Sequence, residues 1–194
     1  MSKITIAIDA STKSTGIAMF QDKELIEYKN IKSNNKSVLK RIKYMTDAIE
    51  EIYVNHSNNS FINNLTKAIT DGEYDSPTYQ IVMEQVLPDN LTKDENQWIR
   101  NQATFKALMY LQAAIVLMFD HYDLEVELVS ATTWRKWCGI AQGAYVKRDV
   151  LKVRDVQFVK EKYNIDVNDD IADAICIGYG KLNHEPEPEP FNWE

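Results

Sequence analysis

Cysteine, histidine and glycine are all scarce in this 194-residue chain, at two, three and six. Cys138 and Cys176 provide no disulfide framework and no CxxC metal spacing. Both lie in apolar surroundings and read as buried, reduced thiols. His56, His121 and His184 fall in loops or the tail, and none has a place in an expected site. Long apolar runs are missing too: the longest, Ala113 to Phe119, is seven residues, against the roughly 18 that a membrane span needs. The opening MSKITIAID lacks an apolar signal core, so the expectation is an intracellular, soluble protein with no membrane partner. Three of the five prolines sit in the stretch HEPEPEPFNWE, which reads as an acidic, disordered tail over 184–194.

What is present suits one domain over 1–183: 44% apolar and 26% charged residues, a globular balance. The net charge of −7 is unevenly spread. From Tyr28 to Thr46 six basic residues, Lys36 and Lys40 among them, stand without an acid, and from Ala131 to Lys162 eight oppose three acids. Such stripes fit either solvated helix faces or a polyanion approached on one side.

Apolar runs at Ile4–Ile8 and Thr15–Phe20, with a third strand near Leu25–Ile31, predict hairpin-connected strands. Ser37 caps a helix whose Leu39, Ile42, Met45, Ile49 and Ile52 keep 3/4 spacing. The Asn- and Ser-rich stretch 55–79 reads as a surface insertion with at most one helical turn. A strand over Gln80–Val86 follows, then a long helix from about Asp94 to Phe119 with Trp98 and Phe105 on a wide apolar surface. Leu124–Val129 is a fifth strand, and helices follow near 132–137, 147–163 and 169–182. The pattern predicts an α/β fold: one five-stranded mixed sheet flanked by helices on both faces.

Asp9 ends the first strand, and Glu84 sits inside IVMEQV, where a charge is expensive unless paired or bound to a cation. Asp170 and Asp173, three apart, share one helix face, and Asp169 before them either caps that helix or complements its positive end. Each acid alone has a plain structural reading, as solvation, ion pair or cap. Together they form a cluster that hard divalent cations would neutralise, and oxygen-only ligation selects Mg²⁺ or Mn²⁺.

The runs ITIAIDASTKSTGIAMF, IVMEQVL and NDDIADAICIGYG resemble the RuvC-like Holliday-junction resolvases of the ribonuclease H-like nuclease superfamily, from Ile4 to about Gly180. The acidic tail and abundant Lys and Asn resemble a phage or viral branch, which implies the cytoplasm of a bacterial host. The resemblance implies a ribonuclease H-like fold and a homodimer that contacts through the long helix. It implies a metal-dependent endonuclease that nicks four-way junctions, and possible action on other branched DNA. Asp9, Glu84, Asp170 and Asp173 match the family's catalytic tetrad, which holds two Mg²⁺ ions with Asp9 bridging both. Lys147 matches a lysine near the scissile phosphate. Arg135 and Lys136 in TTWRKWCGI, with Lys36, Lys40, Lys147 and Arg148, are the expected DNA-facing cations. Two positions depart from the pattern. Ala10-Ser11 stand where bacterial members usually have Pro-Gly, and Leu87 stands where they often carry an aromatic that stacks on a junction base.

Two other readings stay open from sequence. A branched-DNA-binding protein on the same fold would lack catalysis. IDASTKSTGIA also resembles the first phosphate loop of actin-like ATPases and sugar kinases, although those need a duplicated domain and a Gly-Gly motif absent from this chain.

Overall fold

The computed structural model describes residues 2–72, 76–88, 95–140 and 146–184. The tail 185–194, Asp94 and the side chain of Trp98 lie outside the described residues. Three antiparallel strands open the chain: β1 (Lys3–Asp9), β2 (Ser14–Gln21) and β3 (Glu24–Lys32). Two further strands, β4 (Thr78–Glu84) and β5 (Val126–Val129), extend the sheet in the order β3-β2-β1-β4-β5. β4 is parallel to β1, and β5 is parallel to β4. The mixed five-stranded sheet is the one expected from the sequence.

Its two faces are covered separately. On one side Ile4, Ile6, Ile8, Ile81 and Met83 pack with α1 (Val38–Asp71) and α2 (Glu95–Asp120). On the other, Ala7, Ala18, Phe20 and Val82 meet α3 (Ala131–Trp137), α4 (Arg148–Tyr163) and α5 (Asp169–Asn183). Strands buried on both faces have no polar face to alternate with, which is why they read as continuous apolar runs.

Ser37 caps α1 as expected, its side chain accepting from the Lys40 N–H. The helix then runs 34 residues to Asp71, about 51 Å, which corrects the expectation of at most one helical turn after 55. No Gly or Pro interrupts it, and Asn and Ser lower helix propensity by only about 0.7 kcal/mol or less each. The stop is Gly72, whose φ of 74° is left-handed and whose N–H bonds to the Ala68 carbonyl. Residues buried by α1 end at Tyr53, and beyond it Phe61, Ile62, Leu65 and Ile69 are exposed.

The stretch Asn101–Asp120 of α2 is long and apolar enough to cross a membrane by length and composition. One side of it packs on the sheet, burying Leu111, Ile115, Met118 and Phe119, while Met109, Tyr110 and Leu117 face outward. Cys176 is buried; Cys138 is only half-buried, which corrects its expected burial, and both are free thiols.

Candidate active site

Strand register brings two acids together. Ile8 pairs with Met83, so Asp9 and Glu84 follow at the adjacent ends of parallel β1 and β4. Side chains alternate along a strand, and Ala7 and Val82 belong to the core on the α5 side. Asp9 and Glu84 therefore face α5, which contributes Asp170 and Asp173 from its first two turns. All four carboxylates line one cleft of about 800 Å³. The structure brings together the four acids singled out in the sequence.

Close approach of α5 depends on a glycine. Gly16 pairs with Asp9 across the hairpin, and a Cβ there would stand 1.9 Å from the Asp170 carbonyl oxygen. The obstacle is backbone, so the helix itself would have to move. Gly16→Ala is expected to lower stability by about 3 kcal/mol and displace Asp170, measured as a lower denaturation midpoint and weaker divalent-ion binding. An unchanged midpoint would contradict this contact.

Each carboxylate but Asp9 has a visible attachment. Asp170 Oδ2 accepts from the Ser14 hydroxyl and, at 3.3 Å, from Asn30 Nδ2. Glu84 Oε2 accepts from the Trp134 indole N–H at 2.9 Å. Asp173 Oδ2 lies 3.7 Å from Arg135 Nη2, and its Oδ1 is buried without a hydrogen-bond partner. The loop between β1 and β2 is closed by Thr15, whose hydroxyl donates to the Ser11 carbonyl at 2.7 Å and accepts the Ser11 N–H at 3.1 Å. After β4, the Val86 N–H is held by Gln112 Oε1 of α2 at 2.8 Å.

Charge crowding is plain in the acid constants. Burial, then the charges of Glu84 and Asp170, push Asp9 up to about 8. Burial, then Asp9 and Asp155, push Asp173 up to about 9. Burial raises Glu84 as well, against the pull of the Trp134 hydrogen bond and nearby arginines. Such a site favours protons or cations.

Among the described residues no three His, Cys, Asp or Glu side chains already form a ready metal cluster. The donor chemistry nonetheless fits a hard divalent ion. The acids supply only oxygen, one of those oxygens is buried and orphaned, and Asp9 and Asp173 hold their protons far above the usual carboxylate range. Oxygen donors of this kind suit Mg²⁺ or Mn²⁺.

Cations surround the acids. Lys13, Arg41, Arg148 and Lys152 line the same cleft, as does Leu87, which is exposed. One expectation needs correction. Arg135 is not an exposed cation: it lines the cleft wall at only 8% exposure and forks the buried Asp155 carboxylate, because a guanidinium this deep needs a paired anion. Lys147 is the exposed N-cap residue of α4 and is not part of the cleft lining, whereas Arg148 and Lys152, one turn apart, are. Of the two readings of Asp169 the second holds: Asn168 is the cap, accepting the Ile171 N–H, while Asp169 stands in the first turn of α5, where its charge complements the helix's positive end, and is paired with Lys152.

Lys36 and Lys40 are exposed ahead of and within the first turn of α1, outside the cleft. Lys136 is exposed and lines a shallower depression with Trp137 and His184, whose rings stack at 4.4 Å. Sequence reasoning missed Lys13, Arg41, Lys152 and Trp134. Arg41 and Lys152 lay in the basic stripes already recognised, and the i, i+4 spacing of Arg148 and Lys152 is the signal that pairs them.

No protein-family model and no curated protein matches the sequence. Solved structures do match in fold. Thermus thermophilus RuvC is 9% identical with a TM-score of 0.56, covering 91% of this chain and 92% of its own. The same organism's RuvC in complex with a Holliday junction substrate is 9% identical with a TM-score of 0.54, covering 92% and 91%. The chain has the RuvC fold, a ribonuclease H-like arrangement.

Proposed function

We propose that this protein is a divalent-metal-dependent endonuclease that cuts branched DNA, four-way junctions above all, by phosphodiester hydrolysis. One observation carries the reading: four carboxylates from β1, β4 and α5 converge in a cleft rimmed by Lys13, Arg41, Arg148 and Lys152. A cleft built to bind a polyanion has reason for the cations. Acids so crowded at its floor have reason only if cations join them. The RuvC fold supports the substrate class, since a protein of that fold is known with a Holliday junction bound.

Asp9, at the sheet's centre, would hold two Mg²⁺ or Mn²⁺ ions together with Glu84, Asp170 and Asp173. Bound there, such ions supply an activated water and stabilise charge on both sides of the scissile phosphodiester. The chain's own residues prepare the site. Ser14 and Asn30 orient Asp170, and Trp134 orients Glu84. Arg148 and Lys152 present positive charge to flanking phosphates, with Lys36, Lys40, Lys136 and Lys147 on the surrounding surface. Leu87 offers an apolar contact to a sugar or base at the cleft edge. Labelled four-way, three-way, flap and linear duplex DNA incubated with Mg²⁺ tests the reading. Paired symmetric nicks at the four-way junction are expected. Cuts on every branched form would widen the substrate class to general debranching, and ATP turnover without any DNA cleavage would overturn the nuclease.

Phosphate contacts release counterions, so binding should weaken with salt by a log–log slope of about −0.9 per contact. Lys36→Glu and Arg148→Glu should each lower affinity for all junction sequences about equally, because phosphates carry no base information. Unchanged affinity and slope in both, by fluorescence anisotropy at several salt concentrations, would make these residues ordinary solvated surface.

Two nicks on opposed strands call for two active sites, which a C₂ homodimer supplies. The outward Met109, Tyr110 and Leu117 of α2 offer an apolar face for it. Light scattering at micromolar concentration should report twice the 22.4 kDa chain mass. A lone chain that still makes both cuts would contradict the dimer.

A further inference from the structure

Two of the four acids are held by consecutive residues of one short helix. Trp134 of α3 donates to Glu84, and Arg135, next in sequence, reaches Asp173. Neighbours on a helix point about 100° apart, so α3 touches acids belonging to β4 and α5 at once. The two are coupled to each other as well, with the Arg135 guanidinium 4.1 Å from the centre of the Trp134 ring.

Arg135 has a second and tighter attachment behind it. Its Nε and Nη2 fork Asp155 Oδ2 at 3.0 and 2.9 Å, and Asp155 is fully buried on α4. A buried ion pair returns in attraction about what it loses in desolvation. Stability alone therefore gives little reason for this one beside a cleft of acids. Asp173 supplies the reason. Its Oδ2 is 3.7 Å from Arg135, beyond hydrogen-bond length, and its Oδ1 is buried without a donor, facing instead the like charge of Asp155, which raises its acid constant further. A buried carboxylate oxygen without a donor is costly to keep.

We propose that Arg135, anchored on Asp155, is a positioning residue that serves as a resident counter-charge for Asp173 and yields that carboxylate to a divalent cation, while Trp134 fixes Glu84. The proposal rests on the metal-dependent reading above and names how that site is kept assembled. The asymmetry of the contacts is the argument. The fork to Asp155 is tight and the approach to Asp173 is loose, so Asp173 can turn to an arriving cation without breaking the fork. Before that, the guanidinium offsets repulsion that would otherwise push α5 from the sheet.

Mn²⁺ binding to the DNA-free, metal-stripped full chain, followed by electron paramagnetic resonance, tests this without relying on cleavage. Asp155→Asn removes the tight partner of Arg135 and leaves its charge to Asp173, with Glu84 and Asp9 also in its field, so an arriving divalent cation meets stronger competition. Mn²⁺ affinity should fall about tenfold, and the Mg²⁺ concentration giving half-maximal cleavage should rise by the same factor. The pair Arg135→Met with Asp155→Leu removes both charges without stranding either. It should bind Mn²⁺ at least as tightly as the unmodified chain while melting at a lower temperature in EDTA. A merely structural ion pair would weaken binding in both variants or in neither, and either result overturns the proposal. Should Asp155→Asn fail to fold, the paired variant decides alone: weakened Mn²⁺ binding there overturns it. Tight Mn²⁺ binding with no DNA cut would remove the nuclease reading and leave this one standing. No Mn²⁺ binding by the unmodified chain would remove this one.

Discussion

Asp9→Asn should leave a folded protein that still binds four-way junctions and cuts them at least about a hundredfold more slowly. The substitution keeps the shape of a side chain at the end of β1 and deletes the charge at the centre of the cluster. That charge is the one the site strains to accommodate, since burial, Glu84 and Asp170 push its acid constant up to about 8. Removing it lowers repulsion in the metal-free chain, so the variant should also be more stable in EDTA at pH 8, by on the order of 1–3 kcal/mol. Junction affinity should hold or improve, because one negative charge facing phosphates is gone. Glu84→Gln and Asp173→Asn should behave alike. Asp169→Asn should be milder, because Asp169 pairs with Lys152 and has no part among the four acids. Single-turnover cleavage, anisotropy and thermal melts on the same preparations check all three parts. Near-normal nicking by Asp9→Asn would move the active site elsewhere, and loss of folding in every variant would turn the cluster into a structural network.

Metal-free protein should lose stability steadily as pH rises from about 4 to about 9. Asp9 and Asp173 have folded-state acid constants near 8 and 9, raised from 3.8. A group raised on folding gives its full contribution below the unfolded value and loses it as pH climbs through the folded value. Between those limits the folded chain holds protons that the unfolded chain has released. Melting temperatures in EDTA should therefore fall across that window and flatten above it. Mg²⁺ at pH 8 should restore most of the loss, since a cation replaces the protons. Asp173→Asn should flatten the slope. A melting temperature constant from pH 5 to 9 in EDTA would contradict the crowded, cation-seeking cleft.

Much of this architecture was legible because its signals are local. Apolar runs marked β1, β2 and β4, the alternation of LEVELV marked β5, and the Asp-x-x-Asp spacing put Asp170 and Asp173 on one face of α5. What failed to show in the sequence depends on distant partners. Arg135 looks like one of a pair of surface cations until Asp155, 20 residues on, takes it into the core. Lys147 and Lys152 stand on one basic stretch, and only the placement of α4 decides which faces the acids. The excess length of α1 was missed for a different reason. Asn and Ser are weak helix formers rather than helix breakers, and nothing before Gly72 stops the helix. Gly16 gave no sign of its importance, because its constraint is the backbone of a helix more than 150 residues later.

The most direct test of the central claim is the single-turnover cleavage rate of a labelled four-way junction, measured as Mg²⁺ is titrated from zero into metal-stripped protein. The account predicts no cleavage in EDTA, a rate that rises with Mg²⁺ to saturation, and restoration by Mn²⁺. Cleavage that persists in EDTA, or none on any branched DNA at saturating Mg²⁺, would contradict it.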